Sequence, residues 1–95
     1  MAWGFISELA ISPEQYDQVD AEIGKDPDGL ILHTASRSDG GMRIIDVWES
    51  EDAYRRFETD VLMPAVGRLG MPPPSEPPPT TEFEIHNMRG RAASS

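Results

Sequence analysis

Two polar residues stand out because they interrupt apolar, β-rich segments of the sequence. His33 lies within residues 30–35, and Asp46 lies within residues 42–48. Histidine can carry protons near neutral pH because its unperturbed pKa is close to 6.5. A carboxylate in apolar surroundings needs a partner or water, and in a ligand cavity it can act as a general base. Asp46 and His33 are therefore the candidate catalytic residues.

Each candidate also has a purely structural interpretation. A single histidine on a buried strand can be a hydrogen-bonded core residue. Asp46 can pair with Arg43, His33 or His86, or it can line a wet pocket. An ion pair of this kind can fix the register of a dimer and take no part in a reaction. The sequence leaves both interpretations open.

Further residues are candidates for the surroundings of a ligand. Apolar, planar ligands are typically bound by aromatic side chains, and the candidate substrate-binding residues are Trp48, Tyr16, Tyr54, Phe57 and His86. Aromatic residues at helical spacing can equally be plain core. His86 is predicted to share one face of the last strand with Glu84 and Met88, either as an oriented histidine–carboxylate pair or as a solvated one.

The composition limits the classes of function. The chain has 95 residues, no cysteine, and a net charge of -9 that arises from 17 acidic and 8 basic residues. The lack of cysteine excludes thiol nucleophiles and cysteine-based metal sites. The acidic balance disfavours nucleic acid and anionic membrane surfaces as partners. Two histidines and scattered carboxylates match no metal-ligand spacing, so we expect neither a metal nor a cofactor.

The start of the chain gives an expectation about its location. It has no basic region followed by a long apolar segment, so we expect no signal peptide. No apolar run approaches the roughly 20 residues that span a bilayer. We therefore expect a cytoplasmic protein with one domain.

Six elements are predicted to position the candidate residues. They are a strand over 2–9, a helix over 13–23, strands over 30–35 and 42–48, a helix over 51–69 and a strand over 80–88. Ser12 and Gln15 form a capping box at the start of the first helix. Residues 38–41 are typical of a hairpin turn. Pro64 is expected to kink or break the second helix near residues 60–63.

The order β-α-β-β-α-β predicts an α+β fold of ferredoxin-like type. Right-handed crossovers place both helices on one face of a four-stranded antiparallel sheet. The central hairpin lacks polar alternation, so its second face also needs a cover, and a second copy of the chain would provide one. We predict a homodimer of one domain over 1–88, with a proline-rich loop over 71–79 and a flexible tail over 89–95.

The segment Asp46-Val47-Trp48-Glu49-Ser50-Glu51-Asp52-Ala53-Tyr54 resembles the dimeric α+β barrel superfamily. It is most similar to the small proteins of antibiotic-biosynthesis-monooxygenase type, and the likeness extends over residues 2–88. The resemblance implies a ligand pocket in each subunit, between the sheet and its helices, with Trp48 in the pocket lining. The superfamily includes cofactor-free oxygenases of polyphenolic substrates, haem-degrading enzymes and isomerases.

Two departures from the family pattern bear on activity. The monooxygenase branch uses an asparagine near its substrate, whereas the only asparagine here is Asn87, on the predicted last strand. The predicted second helix lacks the histidine that haem-degrading members use as iron ligand. The resemblance implies a cofactor-independent monooxygenase or isomerase for a hydrophobic aromatic or polyketide-like molecule. The alternative is a non-catalytic ligand-binding homodimer, or a structural or adaptor homodimer.

Overall fold

The computed structural model describes residues 2–72 and 76–90 of the chain. Its elements are β1 (Trp3–Leu9), α1 (Pro13–Ile23), β2 (Leu30–Ser38), β3 (Gly41–Trp48), α2 (Glu51–Phe57), a π-helical turn (Glu58–Leu62), α3 (Met63–Arg68) and β4 (Thr80–Glu84). The strands form one antiparallel sheet in the order β2-β3-β1-β4. The predicted ferredoxin-like α+β fold is confirmed. No helix in the described ranges has the length and apolar character needed to cross a membrane.

Helix α1 has the bounds that its capping residues predict. The Ser12 side chain accepts a hydrogen bond from the Gln15 backbone N–H at 3.1 Å, and the Ser12 N–H donates to Gln15 Oε1 at 2.9 Å. Gly24 follows the last turn with φ of 83°, a conformation that side-chain-bearing residues rarely adopt. None of the residues of α1 is buried, so the helix covers the sheet lightly.

The central hairpin is longer than the sequence indicates. Strand β2 continues to Ser38, which pairs with Gly41, so the turn consists of Asp39 and Gly40. β2 is an edge strand, and its last residues can therefore be polar and still pair with β3. Position 41 requires glycine, because a Cβ atom there would lie 1.9 Å from the carbonyl oxygen of Leu9.

Pro64 changes the second helical segment without ending it. Proline has no N–H to donate to the residue four positions earlier. The backbone responds with the π-helical turn Glu58–Leu62, in which the Met63 N–H donates to the Glu58 carbonyl oxygen. The predicted disturbance is thus present, as a wide turn between α2 and α3 in place of a break.

Strand β4 is shorter than predicted, and the expectation of a strand over 85–88 is wrong. The β1–β4 ladder ends where Trp3 pairs with Glu84, and the Ile85 N–H then donates to the Ala2 carbonyl oxygen at 2.9 Å. Because β1 begins at Trp3, the described residues offer no further strand partner after the bond from Ile85 to Ala2. His86 and Asn87 consequently lie beyond the sheet.

The core lies between the sheet and α2. Its buried side chains come from β1, β3 and the first turn of α2: Trp3, Phe5, Ile44, Trp48 and Ala53. The Tyr54 ring packs against three of these aromatic rings, with centroid distances of 4.8 Å to Phe5, 5.5 Å to Trp3 and 5.5 Å to Trp48. Burial of large aromatic side chains is a dominant stabilising contribution in a domain of this size.

No helix of the described ranges covers the opposite face of the sheet. Ile6 and Leu32 are 37% and 38% exposed on this face. Arg43, which alternates away from Asp46, pairs with Glu8 of the same chain at 2.6 Å. We call this surface the open face.

Two of the predicted segments extend beyond the described residues. The proline-rich loop over 71–79 includes residues 73–75, and the tail over 89–95 includes residues 91–95, all of which lie outside the described ranges. The end of the loop is joined to the sheet, because the Glu8 N–H donates to the Pro79 carbonyl oxygen at 3.0 Å.

Candidate functional site

The strand register brings the two candidate catalytic residues together. Asp46 on β3 pairs with His33 on β2 and with Phe5 on β1. Directly opposite residues of antiparallel strands project to the same face of the sheet. Here that face is the one covered by the helices, so the pair lies between the sheet and the helices and not on the open face.

Both oxygens of the Asp46 carboxylate have donors. Oδ1 lies 2.6 Å from His33 Nδ1, and Oδ2 accepts a hydrogen bond from the indole Nε1–H of Trp48 at 3.1 Å. Asp46 is only 5% exposed. A buried carboxylate needs such partners, because removal from water is costly unless hydrogen bonds replace the solvent.

His33 is held in one orientation by bonds at both ring nitrogens. With Nδ1–H directed to Asp46, the neutral ring offers Nε2 as its acceptor, and the Tyr16 hydroxyl donates to Nε2 at 2.6 Å. The hydrogen bond to Asp46 raises the pKa of His33 above its usual value, against an opposing effect of burial. The charges of Asp46, Asp20 and Asp26 add to the increase in the pKa.

Tyr16 reaches this pair from α1. Its ring stacks on the His33 ring at an interplanar angle of 9° and a centroid distance of 6.0 Å. Burial raises the pKa of Tyr16, and the negative charges of Asp20, Asp46 and Asp17 raise it further. Tyr16 therefore keeps its proton and acts as a hydrogen-bond donor. We call the connected residues Tyr16, His33, Asp46 and Trp48 the polar chain.

Exposure changes steeply along the polar chain. The side chain of His33 is 34% exposed, whereas that of Asp46 is 6% exposed. A buried anion thus supports a base whose ring reaches the surface beside α1. This arrangement can accept a proton from a molecule at the surface and stabilise the resulting imidazolium with a nearby negative charge.

Trp48, which the resemblance implies to line a pocket, is packed in the core. The residue is 1% exposed, and its ring packs against Phe57 and Tyr54 at centroid distances of 5.2 Å and 5.5 Å. Three of the predicted ligand-binding aromatic residues therefore form one packed cluster in the core. Tyr16, the fourth, lies on His33.

His86 is not part of the polar chain. It is exposed and lies past the end of β4, so the face predicted to join His86 with Glu84 and Met88 does not form. The reason is the early end of the β1–β4 ladder. Of the predicted site residues, the structure brings His33, Asp46, Tyr16 and Trp48 into contact and leaves His86 outside that group.

Three acidic residues that affect the site were not among the sequence candidates. Asp20 and Asp26 raise the pKa of His33, and Asp20 and Asp17 raise that of Tyr16. The spacing of Tyr16 and Asp20 is i,i+4 on a helix, which places them on one face. That spacing is a signal available in the sequence. Asp26 lies in a loop, where spacing gives no such signal.

The described ranges contain no group of three histidine, aspartate or glutamate side chains that is suited to a metal ion. The expectation that the protein uses no metal or cofactor stays a prediction.

The sequence matches no protein-family model and no curated protein. Solved structures do match. A structure from Chloroflexus aurantiacus J-10-fl, named for antibiotic biosynthesis monooxygenase, is 18% identical, with a TM-score of 0.70 over 95% of this chain and 98% of that one. SnoaB, a cofactor-independent oxygenase from Streptomyces nogalater, is 18% identical, with a TM-score of 0.52 over 92% of this chain and 93% of its own.

A monooxygenase from Streptomyces coelicolor, solved in complex with nanaomycin D, is 21% identical. Its TM-score is 0.50, over 93% of this chain and 89% of the other. At these identities the likeness establishes the fold. The protein therefore has the ferredoxin-like α+β fold of the antibiotic-biosynthesis-monooxygenase structures.

Proposed function

We propose that the protein is a cofactor-independent monooxygenase that acts on a hydrophobic aromatic molecule with a phenolic or enolic hydroxyl group. The observation that carries the proposal is the polar chain, in which buried Asp46 orients half-exposed His33. A base of this kind activates such a substrate by removing its hydroxyl proton.

The reaction needs a proton acceptor and dioxygen. His33 Nε2 takes the hydroxyl proton, and Asp46 stabilises the imidazolium through Nδ1–H. The electron-rich anion of the substrate then reduces dioxygen at an activated carbon. In the net reaction, a ring methylene group and one molecule of dioxygen give a ring carbonyl group and one molecule of water, so the substrate carbon supplies all four electrons. His33 returns its proton before the next turnover.

The electrostatics of the site support His33 as the base. Its pKa is raised by the hydrogen bond to Asp46, which makes Nε2 a stronger proton acceptor. Only the neutral ring can accept a proton. We therefore expect the rate to increase as the pH rises through the pKa of His33, above the usual histidine value of about 6.5.

The fold neighbours support the choice of reaction. SnoaB is a cofactor-independent oxygenase, and the Streptomyces coelicolor monooxygenase binds nanaomycin D. Those properties belong to those proteins. They favour oxygenation of an aromatic molecule as the reaction in which a base on this fold takes part. The substrate has to be identified by experiment.

The test is oxygen uptake with dithranol, a planar phenol with an oxidisable ring carbon. We expect turnover by the wild type and a loss of about 100-fold or more in Asp46→Asn and His33→Gln. Glu76→Gln serves as the control, because Glu76 is an exposed carboxylate in the proline-rich loop. Unchanged turnover in His33→Gln would show that His33 is not the base.

A second candidate function is non-catalytic binding of the same kind of molecule. It is favoured by the fact that Tyr16 already occupies His33 Nε2 and that aromatic rings pack closely around Trp48. A binder would take up dithranol anaerobically with a measurable affinity. In air, it would consume no oxygen above the uncatalysed rate.

The proposal includes a homodimer formed through the open face. Ile6 and Leu32 are both more than one-third exposed there, and Ile45 lies between them on the sheet. Light scattering of the wild type should give twice the chain mass. Ile45→Lys should give a monomer, whereas Gln18→Lys, on the exposed surface of α1, should remain a dimer. A monomeric wild type would contradict this part of the proposal.

A further inference from the structure

His33, the base of the polar chain, has one acceptor nitrogen, and that nitrogen already accepts a hydrogen bond. A neutral imidazole has one donor and one acceptor nitrogen. The donor Nδ1–H of His33 points to Asp46, and the acceptor Nε2 is bonded by the Tyr16 hydroxyl at 2.6 Å. A ligand hydroxyl cannot form a good hydrogen bond with Nε2 while Tyr16 holds it.

The Tyr16 hydroxyl is a donor that does not give up its proton. Burial and three carboxylates, on Asp20, Asp46 and Asp17, oppose formation of the phenolate. Tyr16 therefore competes with a hydroxyl-bearing ligand for the same nitrogen and does not replace His33 as the base.

The helix that carries Tyr16 is lightly attached to the rest of the protein. None of the residues of α1 is buried. Its side chains bond to other elements through Tyr16 with His33 on β2, and through Glu22 with Arg68 on α3. Tyr16 packs against the core but is only partly buried, so it can leave His33 without exposing a fully buried side chain of its own helix.

We propose that Tyr16 is a displaceable cap on His33, and that a ligand gains access to the base by supplying a hydroxyl group that takes over Nε2. This proposal rests on the proposed function, in which His33 is the base. The cap makes Tyr16 a residue that controls access to the base, and Nε2 itself selects a ligand with a hydroxyl group. An aromatic molecule without a hydroxyl would leave Nε2 unpaired after displacing Tyr16, whereas a phenol restores the bond that it breaks.

The test compares 4-ethylphenol with 4-ethylanisole, which lacks the hydroxyl donor. Dissociation constants are measured by NMR titration, with the side-chain nitrogens of His33 as reporters. The wild type is compared with Tyr16→Phe, which removes only the hydroxyl. Glu22→Gln is the matched control, because it removes the charge from the other polar attachment of α1, the bond to Arg68, and leaves the cap in place.

We expect Tyr16→Phe to bind 4-ethylphenol about five- to tenfold more tightly than the wild type, because no hydrogen bond has to be broken. The affinity for 4-ethylanisole should rise by a similar factor, because this ligand too has to break the Tyr16 bond in the wild type, and the preference for 4-ethylphenol should persist in both proteins. Glu22→Gln should bind 4-ethylphenol as the wild type does. Tyr16→Leu, a second variant without the hydroxyl, should reproduce the preference for 4-ethylphenol over 4-ethylanisole.

Other outcomes overturn the cap in distinguishable ways. Equal or weaker binding of 4-ethylphenol by Tyr16→Phe, with His33 still responding to the ligand, would show that Tyr16 is not a cap and would leave His33 as the base. An equal gain in Glu22→Gln would mean that a loosened helix, and not the hydroxyl, controls access. If the His33 nitrogens respond in neither protein, both the cap and the proposed function are wrong.

Discussion

The two helical segments on either side of the site cover the same face of the sheet in different ways. Helix α2 contributes buried Ala53 and places Tyr54 and Phe57 against the Trp48 ring. Helix α1 contributes no fully buried residue; the Tyr16 ring packs against the core and stacks on His33, and the Tyr16 hydroxyl bonds to the His33 ring. The α2 side is a packed aromatic core, and the α1 side is a polar chain open to solvent.

The α2 side therefore contributes mainly to stability, and the α1 side contributes mainly to the proposed chemistry. One residue, Trp48, belongs to both regions. The Trp48 ring belongs to the aromatic core, while its Nε1–H bonds to Asp46 in the polar chain. Substitutions on the α2 side should therefore act mainly on the free energy of unfolding. Substitutions on the α1 side should act mainly on the protonation and accessibility of His33.

The largest expected effect comes from removing the joining residue. Trp48→Ala deletes a side chain that is 1% exposed and packed among aromatic rings. We expect a loss of about 3–5 kcal/mol in the free energy of unfolding, measured by urea denaturation. A loss below about 1 kcal/mol would mean that the aromatic core is not the main source of stability on this side.

Asp46→Asn should have a smaller effect on stability and a large effect on His33. The amide can accept from one neighbour, but its NH2 group then faces another donor, His33 Nδ1–H or Trp48 Nε1–H. We expect a loss of about 1–3 kcal/mol in urea denaturation. A variant as stable as the wild type would indicate that the carboxylate charge is not needed for folding.

The pH dependence of stability should reveal the His33–Asp46 pair. The folded-state pKa of His33 is raised above its unfolded value. Its stabilising contribution is thus fully present below the unfolded pKa, about 6.5, and is lost as the pH rises through the folded pKa. The difference in unfolding free energy between wild type and His33→Gln should shrink with rising pH. A difference that grows with pH would contradict the sign of the shift.

The smallest effect compares the helix caps on the two sides. Ser50 accepts from the Ala53 N–H and Ser12 accepts from the Gln15 N–H, both at 3.1 Å. Each change to alanine should cost about 1 kcal/mol of helix stability. Ser50→Ala should lower the global stability, whereas Ser12→Ala should chiefly accelerate hydrogen exchange within α1, because α1 buries no residue. Equal global losses would show that α1 is as firmly packed as α2.

Much of the fold follows from local sequence signals. The capping box of Ser12 and Gln15 predicts the start of α1, and the missing N–H of Pro64 predicts where the helix type changes. The end of β4 could not be predicted in this way. It depends on where β1 begins, and that is a property of the partner strand and not of residues 85–88.

The sequence predicts which residues form the candidate site better than it predicts the hydrogen bonds between them. Asp46 and His33 stood out as polar residues in apolar strands, but their pairing depends on the β2–β3 register, which includes an irregularity between Leu30 and Leu32. The bond from Tyr16 to His33 depends on how α1 packs on the sheet. Tertiary packing of this kind leaves no local signal in the sequence.

The proposed chemistry requires that Asp46 holds His33 as a base with Nε2 as its acceptor. The most direct test is an NMR titration of the His33 side-chain nitrogens in the wild type and in Asp46→Asn. We expect the neutral ring to carry its proton on Nδ1, and we expect the pKa of His33 to lie above about 6.5 in the wild type and to fall in the variant. A proton on Nε2, or a pKa unaffected by Asp46→Asn, would contradict the proposed chemistry.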